Sequence, residues 1–369
     1  MEEEKVRVSR FSHFRSGLVV VALVVASTVT ASPAHAASIA ATPVATNLAS
    51  PAAFTFAPDG RIFYGERFSG QVRVLNPTTG TSSLFFSVTR LATTGEQGLL
   101  GIAVHPNYPT APYVYVYATR TISGVAENQI LRLTDSAGVG SAMKVLYRAP
   151  ATTNHNGGRI LFGPSRMLFA VVGDANDPAN SQNLTSTRGK VLRMNASGGV
   201  PDTNPFGNLV WAYGIRNSYG FAFDPETNRL WASENGPSCN DELNRIVKGA
   251  NHGWGPSQTC VSPPAPPVNT NQDGPSPVLP KRFYTPTTAP TGVAFCSGCG
   301  LGAGKEGHLF YGTYKTGQIR EVTLNTSRFG VAAEALAYSH SSGVLSVESA
   351  PDGRVYFSDG SGIYRLSLT

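Results

Sequence analysis

Residues 53–74 read AFTFAPDGRIFYGERFSGQVRV. Two short apolar runs, Ala53-Phe54-Thr55-Phe56 and Ile62-Phe63-Tyr64, flank the turn residues Asp59-Gly60, and Gln71-Val72-Arg73-Val74 follows as a third run that alternates apolar and polar residues. Runs of this length, rich in aromatic and β-branched residues and broken by Asp-Gly, read as antiparallel strands joined by tight turns. The unit recurs. Leu99 to Val104 and Tyr113 to Tyr117 flank Pro106-Asn107; Ile160 to Phe162 and Leu168 to Val172 flank Gly163-Pro164; Gly220 to Phe223 and Leu230 to Ala232 flank Asp224-Pro225. Gly292 to Phe295 with His308 to Tyr311, and Leu345 to Val347 with Val355 to Phe357 around Pro351-Asp352-Gly353, bring the copies to six.

A third run follows each copy: Gln71 to Val74, Gln129 to Leu133, Lys190 to Met194, Leu243 to Ile246, Gln318 to Val322 and Ile363 to Leu366. Each carries an Arg, and the alternation predicts half-exposed strands with that Arg outward. Six repeats of several strands predict an all-β six-bladed β-propeller around a central channel. Residues 42–50 are strand-like without a blade of their own, so they are expected to complete the last blade beside the C-terminus. The Pro-rich segment from Val261 to Pro280 reads as an insertion loop within one domain.

The chain of 369 residues is 41% hydrophobic and 14% charged, with 39 Gly and 26 Pro. Residues 1–36 read as a secretory signal peptide: Lys5, Arg7, Arg10 and Arg15 precede the apolar run Gly17 to Val29, and Ala34-His35-Ala36 matches a cleavage signal. That leaves a single propeller domain over 37–369, secreted or extracytoplasmic, with no membrane span once the signal is removed. The mature net charge falls to +5, from 25 basic and 20 acidic residues. No basic run or aromatic stripe accompanies it, so nothing points to nucleic acid as a partner. Export also favours disulfides. Among the three pairings open to four cysteines, Cys239–Cys260 across the Pro-rich loop and Cys296–Cys299 across a Ser-Gly turn are expected, the first contributing about 3 kcal/mol. A zinc site would want two closely spaced ligand pairs, and the chain has one C-x-x-C.

Propeller loops converge at one end of the channel, where residues distant in sequence meet. The octapeptide Thr153 to Ile160 places His155 between two amides and two glycines just before a strand. Little bulk surrounds the imidazole there, so a ligand can approach it, and its titration range suits a neutral-pH base. Alone, it reads first as a loop histidine bonded to backbone. Four further loops share its character: Gly95-Glu96-Gln97-Gly98, Tyr213 to Asn217, Glu234 to Pro237 with Asp241-Glu242, and Tyr284 to Pro290. Each has a plain structural reading as a cap, an ion pair, a turn or a solvated rim. Together, a candidate base, a guanidinium, amides and exposed carbonyls describe a polar ligand site.

Those motifs, GEQGLLGIAVHP at 95–106, HNGGRI at 155–160, YGIRN at 213–217 and SENGP with DELN between 233 and 244, resemble the soluble quinoprotein sugar dehydrogenases, also called glucose/sorbosone dehydrogenases. The resemblance runs from about residue 45 to the end of the chain. It implies a six-bladed propeller that uses pyrroloquinoline quinone and calcium (Ca2+), a small-molecule sugar substrate and an external electron acceptor. By the same resemblance, His155 is the general base on the anomeric hydroxyl. Arg216 and Asn217 hold the quinone oxygens, and Gln97, Thr287 and Lys315 contact the cofactor. The carbonyls of Gly236 and Pro237 bind calcium, as suits a hard cation. Four positions depart from the family pattern. Gly343 and Leu345 stand where glucose-oxidising members carry two arginines for the cofactor carboxylates, Thr285 stands where some carry Trp, and Asn154 where some carry Asp.

The expected function is therefore oxidation of an aldose or related polyhydroxy aldehyde by hydride transfer to the quinone. The alternatives are a catalytically silent propeller binding a saccharide or protein, and a hydrolase whose channel calcium sits among side-chain carboxylates. For the latter, Glu96, Asp174, Asp177, Asp241 and Glu242 are the acids at hand, and nothing in the sequence brings them together.

Overall fold

The computed structural model describes Met1 and residues 38–261 and 266–369, and Ser38–Thr369 form one compact unit. The expected signal peptide lies outside the described residues. Blade 1 is β2–β5 (Pro51–Phe56, Ile62–Glu66, Gln71–Leu75, Ser82–Ser87), and blade 2 is β6–β9 (Leu99–Val104, Tyr113–Ile122, Val125–Ser136, Val139–Pro150). Blade 3 is β10–β13 (Ile160–Phe162, Leu168–Val172, Lys190–Met194, Val210–Tyr213), and blade 4 is β14–β17 (Gly220–Phe223, Leu230–Glu234, Asp241–Ile246, Arg282–Tyr284). Blade 5 is β18–β21 (Pro290–Phe295, Leu309–Thr313, Gln318–Leu324, Val331–Ser339). Blade 6 joins β22–β24 (Ser346–Ser349, Val355–Ser358, Gly362–Leu368) to β1 (Ile39–Thr46). The one α-helical turn among the described residues, α1, spans Ala179–Gln182.

Every blade is an antiparallel four-stranded meander, and β1 closes the ring by pairing with β24, Ile39 opposite Leu368. The closing strand starts three residues earlier than the sequence suggests and stops at Thr46, because Asn47 turns into the left-handed region at φ 59°. Closure removes an exposed sheet edge at the seam.

The core is not one cluster but six layers, one between each pair of neighbouring blades. Phe63 and Phe85 of blade 1 pack on Leu99 and Val116 of blade 2, while Ile62 and Tyr64 of the same β3 pack on Tyr356 and Ile363 of blade 6. A β-strand turns successive side chains to opposite faces, so a strand covered on both faces, such as β3 or β11, is buried at every position. The alternation expected of the third strands holds in β4 and β20, where Arg73 and Arg320 stand at half-buried positions between buried ones. β12 is buried throughout, and Arg193 is held between the rings of Phe169 and Trp211, 5.9 and 5.0 Å from their centroids.

Both expected disulfides are formed, with Cα–Cα distances of 5.8 Å for Cys239–Cys260 and 5.0 Å for Cys296–Cys299. Cys296 and Cys299 with Glu306 are the one cluster of metal-type ligands among the described residues, and its two sulfurs are already bonded to each other.

Candidate active site

A cavity of about 510 Å³ opens at one end of the channel, walled by loops from all six blades. It brings together His155, Arg216, Asn217, Gly236, Pro237, Thr287 and Lys315. Gln97 is the exception. Its side chain turns away, accepting a hydrogen bond from the Thr94 amide (3.2 Å) and donating to the Thr152 carbonyl (3.0 Å). The neighbouring Glu96 lines the cavity in its place.

His155 sits at φ 55°, a conformation unusual for a non-glycine residue and one that the surroundings must enforce. The glycines make room for it: a Cβ on Gly173 would lie 2.1 Å from the His155 carbonyl oxygen. The His155 amide donates to Glu96 Oε2, and Nδ1 donates to Asp174 Oδ1 at 2.6 Å. Asp174 is fully buried and accepts a second bond from Trp254 Nε1 at 2.8 Å. A carboxylate acceptor fixes the proton on Nδ1, which leaves the Nε2 lone pair free to accept.

Beside it, Arg216 donates from Nη1 to the Asn235 carbonyl (2.9 Å), and its guanidinium stands over Trp254, 5.3 Å from the ring centroid. Burial pulls its pKa down, against the opposing carboxylates of Asp174, Glu234, Glu96 and Asp241, and its Nε has no partner. A guanidinium so placed keeps its charge and directs it at whatever fills the cavity. Asn217 accepts from the Gly157 amide (3.1 Å) and donates to Glu96 Oε2 (3.1 Å), tying three loops together.

Opposite them, Asp241 clamps the Gly236 turn. Its Oδ1 accepts from the Gly236 amide at 2.9 Å, and its Oδ2 accepts from the amides of Thr288 and Ala289. The Cys239–Cys260 bridge and Asn240, which donates to Asn269 Oδ1 (3.1 Å) and Thr270 Oγ1 (2.9 Å), pin the same turn to the Pro-rich insertion. That loop is therefore a buttress. Among the described residues no hydrogen bond is donated to the carbonyls of Gly236 or Pro237, and both residues line the cavity together with Asp241. Free carbonyl oxygens next to a carboxylate form a donor set that fits a hard divalent cation. Lys315 donates from Nζ to Thr287 Oγ1 on the far wall.

Four of the acids named from sequence do converge. Glu96 and Asp241 line the cavity, Asp174 backs His155, and Glu242, 4% exposed, lies behind the Gly236 turn with Glu234. The Asn244 amide bridges Glu234 and Glu242 at 3.1 and 2.7 Å, and burial pushes the Glu234 carboxyl up to about 7. Asp241 and Glu242 are thus buried supports, not a solvated rim. Asp177 instead accepts from the Ala179 amide at the start of α1. Sequence reading missed Asp174 as the partner of His155, Trp254 as a donor to Asp174, and Arg67 and Arg159 as cavity cations.

Comparison with known proteins adds lineage to this geometry. Residues 48–365 match the model of the glucose/sorbosone dehydrogenase family. The chain is 31% identical to quinoprotein glucose dehydrogenase B of Acinetobacter calcoaceticus, over 57% of this chain and 51% of that protein. It is also 31% identical to an aldose sugar dehydrogenase of Escherichia coli, over 55% and 58%. The matched part thus spans little more than half of either relative. The structure of the PQQ-bound aldose sugar dehydrogenase of Streptomyces coelicolor superposes with a TM-score of 0.78 at 28% identity, covering 92% of this chain and all of that one. With nearly the whole propeller matched by the family model, the chain belongs to the glucose/sorbosone dehydrogenase family.

Proposed function

We propose that this chain is an exported quinoprotein that oxidises an aldose or related polyhydroxy aldehyde at its anomeric carbon. The observation that carries the reading is the His155–Asp174 pair, whose free Nε2 shares a cavity with Arg216, Asn217 and Lys315. His155 Nε2 takes the proton of the anomeric hydroxyl while the C1–H bond breaks with loss of hydride, giving the lactone. Asp174 keeps Nδ1 protonated and stabilises the imidazolium that forms. Pyrroloquinoline quinone, when bound, supplies the two-electron acceptor, which an external acceptor reoxidises. Arg216 and Asn217 would hold its carbonyl edge and oppose negative charge developing there, and Lys315 and Thr287 would meet its carboxylate side. The Gly236 and Pro237 carbonyls, with Asp241 behind the turn, would hold the calcium.

The test is reconstitution of the purified protein with pyrroloquinoline quinone and calcium, followed by aldose-dependent reduction of an artificial dye. The reading requires reduction that depends on both additions. Quinone bound with no aldose oxidised would favour the silent propeller.

A further inference from the structure

One side chain at the cavity floor breaks the repeat. Three residues before the last ladder pair ahead of the first turn, the six blades carry Ala53, Gly101, Arg159, Gly220, Gly292 and Ser346. Five of these are small because neighbouring first strands approach closely there. A Cβ on Gly101 would lie 2.0 Å from the Gly158 carbonyl oxygen, and one on Gly292 would lie 1.9 Å from the Val347 nitrogen. Neighbouring first strands pack closely around the ring except β10 and β14, where Arg159 enters.

Arg159 is 5% exposed, and its side chain crosses the channel. Nε donates to the Tyr219 carbonyl (2.9 Å) just before blade 4, and Nη2 to the Leu345 carbonyl (3.4 Å) just before blade 6. Nη1 makes no hydrogen bond and stands 3.7 Å from Glu348. Arg159 lines the candidate site, whereas Glu348 lines a second cavity of about 700 Å³ at the other end of the first strands. The pair therefore divides the channel. Burial pushes the Glu348 carboxyl up to about 7, so at neutral pH it neutralises Arg159 only in part.

A long cation where the other five blades carry a small residue, lining a ligand-sized cavity while its Nη1 lies buried without a hydrogen bond and turned towards Glu348, is more than blade packing requires. We propose that Arg159 is the floor cation of the ligand site, donating its guanidinium to a carboxylate of the bound quinone. This rests on the quinone reading above. Arg159 thereby supplies a positive charge against the wall where Gly343 and Leu345 supply none.

The test is a titration of pyrroloquinoline quinone with calcium into the full chain, read by tryptophan fluorescence, with thermal melts in parallel. Arg159→Met should weaken binding about ten- to hundredfold, the range for one charged hydrogen bond. Arg159→Lys should lose less, and Glu348→Gln should tighten binding by freeing the guanidinium. Wild-type affinity in Arg159→Met would overturn the proposal, as would unchanged affinity in both Arg159→Lys and Glu348→Gln should the Met variant fail to fold. A wild type that binds no quinone would instead overturn the quinone reading, and this inference with it.

Discussion

The two sides of the candidate site are built differently. On the side of blades 3 and 4, His155, Asp174, Arg216 and Trp254 form a continuous buried network anchored by the insertion loop. On the side of blades 5 and 6, Tyr314 is 58% exposed, Lys315 is fixed by one bond to Thr287, and Gly343 and Leu345 add no polar side chain. Electrostatic preorganisation costs stability, and here it is concentrated around His155, the proposed base. The side expected to grip an anionic ligand is sparse. The difference separates chemistry from affinity: substitutions in the His155–Asp174 pair should change turnover, and those on the second side should change binding.

The largest expected effect is from His155→Ala, which should lower turnover by about 10²–10⁴-fold while quinone affinity stays as in the wild type. Stopped activity with lost quinone would instead place His155 among the binding groups. Asp174→Asn should follow, with a loss of about 10–100-fold, since an amide no longer fixes the Nδ1 proton. Its turnover should also shift in pH profile, which a merely destabilised variant would not show. On the sparse side, Leu345→Arg should tighten quinone binding about tenfold at unchanged turnover. Gly343 is not at positive φ, yet a Cβ there would meet the Tyr314 carbonyl at 2.5 Å, so Leu345 is the position to use.

The smallest effect concerns pH. Burial raises Glu234 from an ordinary 4.5 to about 7, so the folded state holds its proton more tightly than the unfolded chain does. Stability from this group is full below about 4.5 and is lost as pH rises through about 7. The metal-free melting temperature of the wild type should fall across that window, and Glu234→Gln should flatten the slope. An equal slope in both proteins would show that Glu234 is ionised throughout.

Much of this was legible in the sequence. The turn residues and apolar runs marked the first three strands of each blade, because burial on both faces leaves little else in them. The outer strands were not, because solvent on one side relaxes their pattern. In β21, Ala332, Ala333, Glu334, Ala335 and Leu336 are intermediate or exposed, and β17 is three residues long. His155, Arg216 and the Gly236 turn stood out through glycines and amides that only a loop near a ligand would want. Glu96 stands beside Gln97, but which of two adjacent residues faces a cavity depends on a backbone direction that no local pattern reports. Asp174 and Trp254 meet His155 from 19 residues away and, through Asp174, from another 80, a triad that exists only once blades 3 and 4 are side by side. Arg159 lies within the octapeptide Thr153 to Ile160, just before a strand. Its significance appears only when the six registers are laid against one another.

The measurement that reaches the central claim most directly is a single-turnover comparison of glucose with glucose deuterated at C1, using protein loaded with pyrroloquinoline quinone and calcium. If the anomeric C1–H bond breaks in this cavity with His155 as base, quinone reduction should show a normal primary isotope effect in the wild type and should collapse in His155→Ala. Equal rates for the two sugars with chemistry shown to limit the rate, or an undiminished rate in His155→Ala, would contradict the account.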